Sequence, residues 1–157
     1  ADYDPYWIEE PFSPDQIDNH AKLAERIYIN VATGEIEAGR WRFKELLDKG
    51  GAAILQTDAA VCGGVTEFKR IGAMADCYGV NMCPHWFHDL HLHLVAALPN
   101  GEMVEYFADD QVLNFRRIID RQLRIVPGKG LALPTDPGLG YAFDEKVITK
   151  LDAEAWA

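Results

Sequence analysis

Basic residues are scarce in this chain: 15 Lys and Arg stand against 25 Asp and Glu in 157 residues, a formal net charge of −10. Such a field repels nucleic acid and anionic membrane surfaces, which argues against either as the main partner. Cysteine is also sparse. Cys62, Cys77 and Cys83 form an odd set without a CxxC pair, which argues against a disulfide framework and fits a reducing, cytoplasmic setting. No apolar run approaches the roughly 20 residues of a membrane-spanning helix. The N-terminus lacks the basic-then-apolar order of a secretory signal. Low-complexity linkers and obvious domain boundaries are absent. So are the GxGxxG and Walker patterns, which leaves Gly63 and Gly64 as a tight strand-to-helix turn rather than a phosphate cradle. An initiator Met is missing too. The chain opens at "ADYDPYWIEEP", within a few residues of a strand, and reads as a processed or incomplete polypeptide.

What is present is an ordinary globular composition, 48% hydrophobic and 25% charged, at a length that can bury a sizeable core. Short apolar or β-branched runs end in polar residues and lead into helical patterns, the signature of parallel βαβ units. The runs are "YWIEE", "IYINVATGE", "AAILQTD", "VNMCPH" and "EMVEYF". Between them, Ser13 and Pro14 read as cap and first position of a helix carrying Ile17, Ala21, Ala24 and Ile27. A second helix, near 37 to 49, stops at Gly50 and Gly51. A third, capped by Thr66, carries Phe68, Ile71, Ala75 and Tyr78 and closes at Gly79. Beyond the fifth run, "RQLRIV", "PGKG" and "LALP" suggest a hairpin, and Asp144 can cap a final helix through Leu151.

Every expected strand finishes on a residue able to ligate a cation or move a proton: Glu9, Glu35, Asp58, His85 and Glu105. The intervals are 26, 23, 27 and 20 residues, each about one strand-helix unit. In parallel α/β proteins the active site gathers outside the carboxyl ends of the strands, so five such residues share one mouth. Any one alone reads as a turn or surface residue; the ordered set is what points to chemistry. Glu9 and Glu35 offer hard oxygen ligands, which suit Mg²⁺ better than Zn²⁺, with a third carboxylate expected besides. Asp58 and His85 come from adjacent strand ends. A carboxylate bonded to one imidazole nitrogen fixes the tautomer and turns the other nitrogen into a general base.

The stretch "CPHWFHDLHLHL" holds four of the five histidines, at 85, 88, 91 and 93. At about 100° per residue on a helix their rings point in dispersed directions, which argues against a zinc cluster. His88 sits near the mouth as a candidate substrate contact. His91 and His93 read as helix packing or surface. Cys83, at the end of an apolar run, reads as a buried, inert thiol rather than a nucleophile.

These residues together resemble the enolase superfamily, in its mandelate racemase/muconate lactonizing enzyme family. "WIEEP" looks like that family's fourth barrel strand, "ATGE" the fifth, "TDAAVCGGVTE" the sixth, "PHWFHDLHLHL" the seventh and "MVEYF" the eighth; "PTDPGLGY" is similar to its C-terminal segment. The resemblance implies the C-terminal portion of a TIM-type (β/α) barrel, strands four to eight, over residues 1–157. A complete barrel needs about 250 residues and eight strands. The N-terminal capping domain, the first barrel strands, a Lys-x-Lys strand and an Asp serving as third metal ligand would lie outside this sequence. The open sheet left behind would expose unpaired edges, so the isolated piece is expected to be poorly stable and inactive.

By the same resemblance, Glu9 and Glu35 are metal ligands for Mg²⁺, His85 is the base, Asp58 its dyad partner and Glu105 an acid facing the enolate, with no organic cofactor. The implied activity is dehydration of a sugar acid by removal of the proton α to its carboxylate, through an enolate that the metal stabilises. Racemisation or epimerisation of a 2-hydroxy acid shares that first half-reaction and stays open. So does a non-catalytic binding or regulatory protein on the same scaffold. A homo-oligomer is expected.

Overall fold

The computed structural model describes residues 2–108 and 115–155. Four short strands, β1 (Trp7–Glu9), β2 (Asn30–Thr33), β3 (Ile54–Leu55) and β4 (Asn81–Met82), form one parallel sheet in sequence order. Helices α1 (Ile17–Ala24), α2 (Arg40–Asp48) and α3 (Val65–Cys77) connect them, and α4 (His88–Ala96) follows β4. A single 3₁₀ turn at Phe115–Arg117 precedes an antiparallel hairpin, β5 (Ile125–Val126) with β6 (Gly130–Leu131), and then α5 (Glu145–Ala155). Asp144 Oδ1 accepts the N–H groups of Lys146 and Val147, the cap expected of it.

Side chains alternate across a strand, and the two faces of this sheet bury different things. Leu55 and Met82 face outward into a core with Phe43 and Leu47 of α2, Phe68, Ile71 and Ala75 of α3, and Leu94 of α4. Their neighbours Ile54 and Cys83 face the other way, against Ala32 and Trp7. Trp7 lies on the first strand and Cys83 follows the fourth, so the sheet curls. Tyr6 closes the same span, its hydroxyl donating to Glu102 at 2.7 Å.

Two helix starts differ from expectation. Ser13 does not cap α1: its carbonyl accepts the Gln16 N–H in a turn, and the helix begins at Ile17, whose side chain is buried. Thr66 lies inside α3, because Gly64, at φ +91°, is the N-cap and its carbonyl accepts the Phe68 N–H. The fifth strand is reduced to one parallel bridge, Gly101 with Met82. Met82 donates to Asn100 O and accepts from Glu102 N. The next donor in that ladder would come from residue 84, which is proline and has no N–H.

Gly101 packs so close to the end of α4 that a Cβ there would collide with the Val95 carbonyl. Since that atom is backbone, it cannot step aside. Gly101→Ala is therefore expected to lower unfolding free energy by about 1–3 kcal/mol, read by urea denaturation. An unchanged midpoint would show that the chain before Glu105 is looser than it looks. No helix among the described residues is long and apolar enough to cross a membrane.

Candidate active site

Each strand-end residue is carried to the mouth by a specific local device. Glu9 is the last residue of β1, opposite Ala32, and accepts a hydrogen bond from Trp7 Nε1 at 3.3 Å. Glu10 continues the pairing through its N–H to Ala32 O, and its carboxylate accepts from Thr33 Oγ1 at 3.1 Å. Glu35 leaves β2 through Gly34, whose φ of +118° and 2.9 Å clearance to the Phe43 ring admit no side chain. Asp58 follows β3 into a tight turn, its carbonyl accepting the N–H groups of Val61 and Cys62. Gly63 and Gly64 finish that turn and start α3.

Asp58 and His85 meet as expected. Asp58 is only 1% exposed, and its Oδ2 lies 3.1 Å from His85 Nδ1 while Oδ1 accepts the Ala60 N–H at 2.7 Å. Burial works to raise the Asp58 carboxyl, but the hydrogen bonds it accepts, from the Ala60 N–H and His85 among them, outweigh it and hold the group below the usual carboxylate range. The other ring nitrogen, His85 Nε2, faces Glu35 Oε2 at 3.9 Å. One imidazole thus has a buried carboxylate at one nitrogen and the Glu35 carboxylate at the other.

Glu35 is half-buried, and burial pushes its carboxyl above the ordinary range. Glu10, Glu9 and Glu105 push it the same way, against the attraction of His85. Four carboxylates therefore crowd one place, an arrangement that a cation would relieve. Among the described residues no three ligating side chains are grouped tightly enough to hold a metal by themselves. Glu9 and Glu35 supply two hard oxygen donors with no thiolate, a set that fits Mg²⁺ when water, substrate oxygens and a further carboxylate complete six positions. Trp7, Glu9, Gln56, Cys83, Pro84 and Glu105 line a cavity of about 80 Å³ inside the curl, so Glu105 faces the same space as Glu9.

Glu105 also accepts the Trp86 N–H at 2.6 Å. Trp86 and Phe87 sit at φ +55° and +24°, and Glu10 at +37°. Bulky residues adopt that region at a cost of order 1–3 kcal/mol each, and such outliers cluster at functional sites. The Trp86 ring meets those of His85, Phe87 and Phe107, an aromatic wall beside His85 that strand and helix periods do not announce.

The other histidines separate. His88 is 1% exposed, its ring 4.5 Å from that of Tyr106 and its Nε2 3.4 Å from Asp89 Oδ2. Burial lowers the His88 ring and raises the Asp89 carboxyl, both towards neutrality. His88 is thus a buried side chain at the start of α4. His93 reaches the Leu139 carbonyl at 3.0 Å. His91 is fully buried beneath Asp58. Cys83 is buried and its thiol is pushed up to about 11, first by burial and then by Glu102, which suits an inert thiol.

Comparison with known proteins gives this geometry a context. The family described as "Enolase C-terminal domain-like" matches residues 1–147. D-galactonate dehydratase of Ralstonia pickettii (strain 12J) is 33% identical over 164 aligned positions, covering 98% of this chain and 42% of that enzyme. The crystal structure of L-talarate dehydratase from Polaromonas sp. JS666, complexed with Mg and L-glucarate, superposes with a TM-score of 0.85 at 31% identity, over 94% of this chain and 40% of that one. A mandelate racemase/muconate lactonizing enzyme from the same organism gives 0.85 and 31%, over 94% and 39%. The chain spans about two fifths of the length of these relatives.

Proposed function

The chain belongs to the enolase superfamily, in the mandelate racemase/muconate lactonizing enzyme family, and from that premise we propose that it forms part of a Mg²⁺-dependent sugar-acid dehydratase. Residues 1–157 supply the C-terminal strands of the barrel, and the capping domain and remaining strands lie outside them. The observation that carries this reading is the His85 ring, held by Asp58 at 3.1 Å through Nδ1 and aimed towards Glu35 through Nε2. Named relatives that are dehydratases of D-galactonate and L-talarate support the substrate class.

Glu9 and Glu35 would hold the metal. When bound, Mg²⁺ supplies a Lewis acid that anchors the substrate carboxylate and offsets negative charge gathering on its oxygens. His85 Nε2 takes the proton α to that carboxylate, and the C–H electron pair moves into the enolate. Asp58 keeps Nδ1 protonated and steadies the imidazolium that results. Glu105, across the cavity and acting as the carboxylic acid, donates its O–H to the developing charge, an interaction stronger in the transition state than in the ground state. The imidazolium then gives its proton to the departing β-hydroxyl, which leaves as water, and the enol tautomerises to a 2-keto-3-deoxy acid. The Trp86 ring, edge-on to His85 and backed by Phe107, covers one side of the base.

The test is a screen of the full-length protein with Mg²⁺ against acid sugars including D-galactonate, L-talarate and L-glucarate, followed by 2-keto acid formation. Turnover of at least one is expected. No keto acid, but solvent deuterium appearing at the α-carbon, would replace dehydration with epimerisation. Neither signal, together with no Mg²⁺ binding by calorimetry, would leave a binding protein.

A further inference from the structure

Deepening that reading, and resting on it, we propose that His91 is a positioning residue that locks the turn carrying Asp58 to the turn carrying His85. Its ring lies at the end of the first turn of α4, 0% exposed and stacked on Phe68 of α3 with centroids 5.8 Å apart and planes 21° apart. Both nitrogens are spoken for. Nε2 accepts the N–H of Ala59, the residue after Asp58, at 2.9 Å. Nδ1 lies 3.0 Å from the carbonyl of Trp86, the residue after His85. An acceptor at Nε2 requires the proton on Nδ1, where it is donated to Trp86, so a single neutral tautomer satisfies both contacts.

The consequence is geometric. Asp58 and His85 are 27 residues apart in sequence, and each sits at the start of a loop, which alone would hold a hydrogen bond loosely. His91 joins the two loops one residue beyond each partner, from a helix that is itself packed into the core. It also approaches the carboxylate, with Nε2 3.4 Å from Asp58 Oδ1. The Trp86 carbonyl to which it donates belongs to a residue at φ +55°, a conformation that persists only when its surroundings over-determine it. The Glu105 carboxyl on the Trp86 N–H and His91 on the Trp86 carbonyl hold that residue on both sides of its Cα. Removing His91 would free the turn behind the base, and a small displacement of a catalytic group costs rate far more than binding.

Two variants separate this from simple packing. His91→Phe keeps a ring against Phe68 and removes both hydrogen bonds, whereas His91→Gln can return an acceptor to Ala59 and a donor to Trp86. In the full-length protein with Mg²⁺ and L-glucarate as first probe, His91→Phe is expected to lower kcat about 10- to 100-fold, as outer hydrogen-bond partners do at other sites. KM should change by less than about twofold, because the substrate is held elsewhere. His91→Gln should recover most of the loss. Wild-type kcat in the Phe variant, or a Gln variant no better than Phe, overturns the proposal. Histidine ring ¹⁵N spectra of the substrate-free protein decide it independently of any turnover. A proton on His91 Nδ1 supports the lock, and a proton on Nε2 overturns it even if every acid sugar proves inert.

Discussion

His85→Asn in the full-length protein is expected to abolish exchange of the α-proton and to lower kcat about 100- to 10,000-fold, the range that a positioned proton-transfer group contributes. The asparagine amide can still reach towards Asp58, whose buried carboxylate would otherwise lose a partner, so the variant should fold. What it lacks is a nitrogen able to accept a proton on the Glu35 side of the ring. Deuterium incorporation from solvent reads the chemistry directly, without depending on the later loss of water. Exchange at the wild-type rate would remove His85 from the mechanism, while Mg²⁺ titration of the same variant shows whether the rest of the mouth survives.

The second large effect belongs to Glu35. Glu35→Gln keeps the shape and removes a charge, and should weaken Mg²⁺ by more than the roughly 10- to 100-fold that an outer partner costs. Chelation should silence the wild type, with activity restored by added Mg²⁺. The charge pattern explains the expected severity: burial first, and then Glu10, Glu9 and Glu105, push the Glu35 carboxyl towards protonation, and a bound cation would favour its charged form. Undiminished affinity in calorimetry of Glu35→Gln would mean that the cation is held by another set.

Much of this was legible in the chain because strand period and strand ending are both local. The parallel order of β1 to β4, the hairpin at 125–131 and the Asp144 cap follow from residues a few positions apart. So did the meeting of Asp58 and His85, since polar residues at the ends of neighbouring parallel strands have one rim to occupy. The fifth strand failed because "EMVEYF" carries the right period while its partner's proline, Pro84, withholds the needed donor. Ser13 and Thr66 have the chemistry of caps, but the buried Ile17 and the left-handed Gly64 set the helix starts instead.

The histidines show the deeper limit. A helical wheel gives the spread of four rings, yet it assumes that the helix already includes residue 85, whereas α4 begins at 88. Nor can it say which loop lies beneath each ring. His91 looks like packing in sequence, and it is packed; that its two nitrogens meet the backbones beyond Asp58 and His85 depends on how α3 and α4 lie together. A histidine three positions after His88 and two before His93 was the signal that could have been followed.

The two buried thiols carry a practical consequence. Cys62 and Cys83 are both pushed up to about 11, by burial first, so at neutral pH only roughly one in ten thousand of either is the reactive anion. Cys77 ends α3 on the outside of the sheet and is exposed. Within residues 1–157 a maleimide dye therefore has one exposed address, on the outer flank of α3, where fluorescence can follow assembly.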